Sequence, residues 1–242
     1  MKASTRTIIV VFLYLLAAAW FFFPIGAPQE KSLLFSLRLA LPAALLALGG
    51  MGLSPRLMTV GLVFCTAGDA MGVLGSFEGQ MGGFAIAHIC FIGWFAQQLA
   101  KAKEGKKKGF SLLIVSLLSV VPLVIAAVRI IPDIHDTVIR IGCAIYSLLL
   151  TGTLWTAWAR FASLLPSPQP QRGALLAAVG ATLFFVSDFI LAWNMFVESV
   201  PHSRNLIMST YYAALLLLFI GTLRTLLSTS KNPDSAAFRA EK

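Results

Sequence analysis

Residues 183–196 read LFFVSDFILAWNMF, an apolar run with one carboxylate, Asp188, near its middle. Extended back to residue 173, the run is long enough to cross a hydrocarbon core of about 30 Å, which needs about 20 helical residues. Seven further stretches of the same character lie over residues 7–25, 32–51, 56–75, 81–100, 110–131, 138–160 and 205–227. Together they predict an all-α fold: one polytopic bundle of eight transmembrane helices over residues 1–230, followed by a short cytoplasmic tail, 231–242.

Composition agrees. Of the 242 residues 58% are hydrophobic and 12% charged, and the mean hydropathy of +0.83 excludes a soluble globular domain. The breaks between spans, among them FPIGAPQEK, KAKEGKKKG and PSPQPQRG, are turn-rich and too short to hold a further domain. The first apolar run is longer than a signal-peptide core and ends in bulky phenylalanines, so we expect it to be kept as a span. Cys65, Cys90 and Cys143 stand singly in apolar stretches and read as packing residues, with no disulfide or metal spacing.

The net charge of +9 is explained by topology rather than by a nucleic-acid partner. With the N-terminus inside, all but Lys31, Arg38, Arg129, Arg140 and Arg204 of the nineteen Lys and Arg residues fall on the inner side. Both termini are therefore expected in the cytoplasm, with the KAKEGKKK run as a solvated inner loop near anionic headgroups. We expect an integral membrane protein of a bacterial inner membrane.

Counting about 1.5 Å per residue from the outer boundary puts Asp188 about 12 Å deep, His88 about 10 Å, and Asp69, Tyr211 and Arg38 about 9 Å each. Five polar side chains from five spans thus share one layer. Each intramembrane charge costs about 2.5–3.5 kcal/mol on insertion scales, so we expect these groups to face inward around a polar cavity open toward the outer leaflet. Gly68 and Gly72 flank Asp69 as a small-xxx-small pair that admits a neighbouring backbone. Phe84, Phe91 and Phe95 share a helical face with His88 and offer an apolar wall suited to an acyl chain. Taken alone, Asp69 with Arg38 also fits a structural ion pair, and Asp188 with Ser187 an interhelical hydrogen-bond anchor.

The segment AGDAMGVLGSFEGQMGGFAIAHICF resembles the YhhN-like membrane proteins, whose members include lysoplasmalogenases, in its Gly-Asp pair, following Phe and Gly positions, and Ala-His pair. GATLFFVSDFILAWNMF resembles the second signature of that family, with Ser187 and Asp188 on its Ser-Asp pair, and TYYAALLLLFIG the aromatic start of its last span. Three positions depart from the family pattern. A Lys-Pro in the second span is here Leu41-Pro42, with Arg38 one turn earlier; the tyrosine after the histidine is Phe91; and a polar residue after the last-span tyrosine is Leu215.

The resemblance implies hydrolysis of the vinyl ether bond of a lysophospholipid of the lysoplasmalogen type, to fatty aldehyde and glycerophospho-alcohol. Protonation of the β-carbon of a vinyl ether gives an oxocarbenium ion that water captures, so the chemistry needs an acid and an anion, the division of labour of glycosidase carboxylates. We expect Asp69 and Asp188 as the catalytic pair, Asp188 as the acid because it is deeper and has no nearby cation and Asp69 as the stabilising anion or water-activating base, roles that are exchangeable at this level. Arg38, His88, Tyr211, Ser187, Phe84 and Phe91 are expected to bind substrate. Arg38 either holds one aspartate ionised or binds the phosphate. No metal is expected, because one intraspan histidine falls short of the three protein ligands zinc takes, and neither a cofactor nor a protein partner is expected; membrane lipids are the surroundings. The competing class is a proton-coupled carrier using the same carboxylates.

Overall fold

Lipid offers no hydrogen-bond partners, so a spanning segment must satisfy its own backbone, which a helix does within a single segment. The computed structural model describes residues 3–23, 33–102, 109–164 and 172–230, and among them there is no strand. The elements are α1 (Ala3–Phe22), α2 (Leu33–Gly50), α3 (Arg56–Val73), α4 (Phe77–Ala102), α5 (Gly109–Ile125), α6 (Thr137–Leu164), α7 (Arg172–Phe196) and α8 (Ser203–Ser230). The expected tail 231–242 lies outside the described residues.

Every expected span coincides with a helix, and the differences lie at the ends. α4 begins at Phe77 and α6 runs on to Leu164, because a helix continues past the edge of an apolar stretch as long as its backbone bonds remain favourable. Seven stretches among the described residues are long and apolar enough to cross a membrane; α2 contributes only the shorter apolar stretch Arg38–Gly50. After α5 the chain widens into a π-helical turn, Ala126–Ile130, and then tightens into a 3-10 turn, Ile131–Asp133. Pro122 lies inside α5 and has no N–H to return to the preceding turn, which weakens the regular ladder just before the π turn.

In lipid, helices associate through close packing, and small residues permit it. Gly83 of α4 rests on the backbone of Gly68 of α3, where an added Cβ would come within 2.8 Å of the Gly68 Cα. This is the approach expected of the Gly68 and Gly72 pair, and α4 is the neighbour that makes it. Along α7 and α8 the backbones touch again, since a Cβ on Gly180 would lie 2.8 Å from the Leu218 nitrogen. Hydrogen bonds tie α1 and α2 to this pair: Tyr14 of α1 donates to the Tyr212 carbonyl at 2.5 Å, and Tyr212 of α8 donates to the Leu39 carbonyl at 2.9 Å. Phe91, Phe95, Phe184 and Phe219 fill the centre, while Leu117, Leu118, Val138 and Ile141 are exposed on the outside, as suits a surface solvated by acyl chains.

Candidate active site

The site follows from phase. On α7 the buried positions include Ala177, Gly180, Ala181, Phe184, Ser187 and Asp188, a stripe spaced by three and four residues that aims Asp188 at the bundle interior. Asp69 ends the equivalent stripe on α3, after Leu62, Cys65 and Gly68. Both carboxylates are buried, Asp69 at 3% exposure and Asp188 at 9%, and His88 is fully enclosed.

Two polar centres result, one on each side of an aromatic cluster. In the first, Tyr211 of α8 donates to Asp69 Oδ2 at 2.9 Å. In the second, Tyr146 of α6 donates to Asp188 Oδ2, and His88 Nε2 faces the same oxygen from 3.9 Å. The other nitrogen of His88, Nδ1, is hydrogen-bonded to Thr153 Oγ1 of α6 at 2.9 Å. Phe184 stands between the centres, edge-on to His88 with ring centroids 4.7 Å apart, to Tyr211 at 5.4 Å and to Phe84 at 5.9 Å.

Asp188 opens onto a pocket between α4, α5, α6 and α7, with a cavity volume of about 80 Å³ and a mouth partly open to the surface. Its wall is almost wholly apolar: Phe77, Met81, Phe84, Leu123, Phe185 and Phe189 line it, together with Pro122 and residues of the π turn. Here the expectation of one polar cavity shared by both aspartates needs correction. The pocket is apolar, Asp188 and Tyr146 are on its wall, and Asp69 is not. The reason is the size of the Phe84 and Phe184 rings, which fill the space a shared cavity would need.

The remaining expected residues fall as follows. Phe84 lines the pocket, whereas Phe91 is fully buried and plugs the gap over Gly61, where an added Cβ would meet its ring at 2.4 Å. Ser187 donates to the Ile207 carbonyl at 3.0 Å and so links α7 to α8. Arg38 is buried at 5% exposure, its guanidinium over the Phe21 ring at 5.6 Å with that of Arg204 over the same ring at 5.3 Å. It belongs to the Tyr14–Phe21–Tyr212 cluster. Among the described residues no group of three or more His, Cys, Asp and Glu forms a metal-binding cluster.

Sequence reasoning missed Tyr146, Thr153 and Phe184. Tyr146 was within reach of the depth count, since it lies eight residues into its expected span, about 12 Å, level with Asp188. The sequence profile of the YhhN family matches residues 31–222. This chain belongs to the YhhN family. Among relatives of this YhhN-family chain, it is 31% identical to lysoplasmalogenase TMEM86B of Homo sapiens over 70% of its length and 65% of that protein's. It is 30% identical to lysoplasmalogenase TMEM86B of Mus musculus, over 87% of its own length and 85% of the relative's. Lysoplasmalogenase TMEM86A of Bos taurus is 31% identical over 69% of this chain and 65% of that protein. The match thus spans just under two thirds of the human and bovine relatives. No solved structure matches the chain.

Proposed function

We propose that this chain is a membrane-embedded hydrolase that cleaves the vinyl ether bond of lysoplasmalogen-type lysophospholipids, giving a fatty aldehyde and a glycerophospho-alcohol. The observation that carries the proposal is a hydrogen-bonded aspartate, Asp188, on the wall of an otherwise apolar pocket that opens to the surface. Relatives named lysoplasmalogenase support it. We assign the chain eight spans with both termini inside, and a site reached from the outer leaflet, because Asp69, Asp188 and Tyr146 lie nearer the ends of their helices that this topology puts outside.

The substrate lies with its alkenyl chain in the pocket. A carboxylic acid of the aspartate pair transfers its proton to the β-carbon, the C=C electrons form the new C–H bond, and the oxygen lone pair delocalises onto the α-carbon as an oxocarbenium ion. The second carboxylate stabilises this cation through the low-dielectric interior. Water adds to the α-carbon and returns one proton to the carboxylate that gave its own away. The hemiacetal then collapses: its hydroxyl proton leaves, the C–O bond to glycerol breaks, and the glycerol oxygen takes up a proton. One water is consumed and both acids end as they began.

Asp69→Asn and Asp188→Asn, each purified in a lipid-like detergent, are expected to lose aldehyde release from lysoplasmenyl lipid by at least 10²-fold while folding as wild type. Lysoacyl lipid serves as the control and should yield no free fatty acid. Full aldehyde release by either variant would rule out the two-carboxylate mechanism, and uptake driven by a proton gradient without turnover would replace the hydrolase by a carrier.

A further inference from the structure

Asp188 is held through one oxygen. Tyr146 O–H reaches Oδ2, and His88 Nε2 faces the same Oδ2 from 3.9 Å with no closer partner of its own. An oxygen that already accepts from Tyr146 is met without repulsion only by a ring nitrogen that carries hydrogen. The Thr153 hydroxyl has one hydrogen and two acceptors in reach, His88 Nδ1 at 2.9 Å and the Leu149 carbonyl at 3.2 Å; given to the nearer Nδ1, it leaves the His88 hydrogen on Nε2. His88 is fully buried and Thr153 is 1% exposed, so neither reaches the pocket, whereas Asp188 and Tyr146 line it.

We infer that Asp188, not Asp69, is the acid that protonates the alkene carbon, and that Tyr146 together with the Thr153–His88 pair are positioning residues that act through it. With Tyr146 donating to Oδ2 and His88 Nε2 facing it from 3.9 Å, beyond hydrogen-bond reach, the transferable proton belongs on Oδ1. When that proton goes to the β-carbon, the O–H bond breaks, the C=C electrons make the C–H bond, and the charge left on the carboxylate is spread toward Tyr146 and His88. Proton and charge thus sit on opposite oxygens of one group, so the acid needs no reorganisation during transfer. Asp69, behind Phe84 and Phe184 with Tyr211, is then the anion that acts through space. The inference rests on the hydrolase reading given above and goes beyond it by giving the two carboxylates different roles.

The test is steady-state kinetics on the full chain in detergent, with lysoplasmenyl lipid as substrate and aldehyde as the readout. Thr153→Val removes the hydroxyl without changing shape, and Thr153→Ser keeps it. Thr153→Val is expected to lower kcat at least tenfold with KM within twofold of wild type, while Thr153→Ser recovers most of kcat. Tyr146→Phe is expected to show the same split. Wild-type kcat in Thr153→Val and Tyr146→Phe, or an equal loss in the Val and Ser variants, overturns the positioning role. If Thr153→Val does not purify folded, Tyr146→Phe decides alone: a kcat loss at constant KM supports the inference and wild-type kcat overturns it. Absence of aldehyde release by wild type overturns the hydrolase reading and this inference with it, whereas release by wild type with unaffected variants overturns this inference only.

Discussion

Tyr211 and Tyr212 are neighbours in sequence, yet they do different jobs because a helix turns about 100° between them. Tyr211 points at Asp69, and Tyr212 reaches across to the Leu39 carbonyl. Removing the Tyr211 hydroxyl leaves a buried carboxylate oxygen without its donor, and interhelical hydrogen bonds in membranes are worth about 0.6 kcal/mol on average and about 1.7 at most. Tyr211→Phe is therefore expected to lower stability by about 1 kcal/mol, read as a lower midpoint of thermal unfolding in detergent. The carboxylates and His88 were legible in the sequence because a charge or imidazole inside an apolar span is conspicuous. Thr153 was not, because hydroxyl residues are ordinary in membrane helices and nothing local distinguishes one that meets an imidazole from one that bonds its own backbone; Tyr146 could be placed at the depth of Asp188 but not on its side of the bundle. The same holds for Phe184: among many phenylalanines, only the packing reveals which one stands between the two acids.

Helices were legible almost to their ends, since an apolar run of about 20 residues has only one way to satisfy its backbone in lipid. The π turn after α5 was not: it is a change of hydrogen-bond register, with no residue pattern that announces it, and Pro122 alone fits a straight, kinked or bulged helix equally. Close seams between elements gave a partial signal, the Gly68 and Gly72 pair being readable while the partner helix was not. Glycine substitutions separate seam from surface. Gly180→Ala puts a methyl within 2.8 Å of the Leu218 nitrogen and 3.0 Å of the Ala214 oxygen, both backbone atoms, and is expected to destabilise by about 1–3 kcal/mol. Gly82→Ala meets nothing within 4 Å, and replacing a mid-helix glycine there should be neutral or stabilising by up to about 1 kcal/mol. Unfolding midpoints of the two variants side by side check the contrast.

For the molecule as a whole, the distribution of Lys and Arg expresses the orientation proposed above. Replacing the three native cysteines and introducing single ones tests it with a membrane-impermeant thiol reagent on intact cells. His202→Cys, before α8, is expected to label from outside, and Gln169→Cys, between α6 and α7, only after the membrane is opened. The pattern reversed would place the site toward the cytoplasm. One further consequence concerns the fate of what is made. A fatty aldehyde is an electrophile that condenses with primary amines, and the pocket beside Asp188 carries neither lysine nor arginine among its lining residues. A wall built largely from phenylalanine, leucine and alanine forms no Schiff base with its own product, and the Cys143 thiol and the Tyr146, Ser147 and Thr151 hydroxyls around it add to an aldehyde only reversibly.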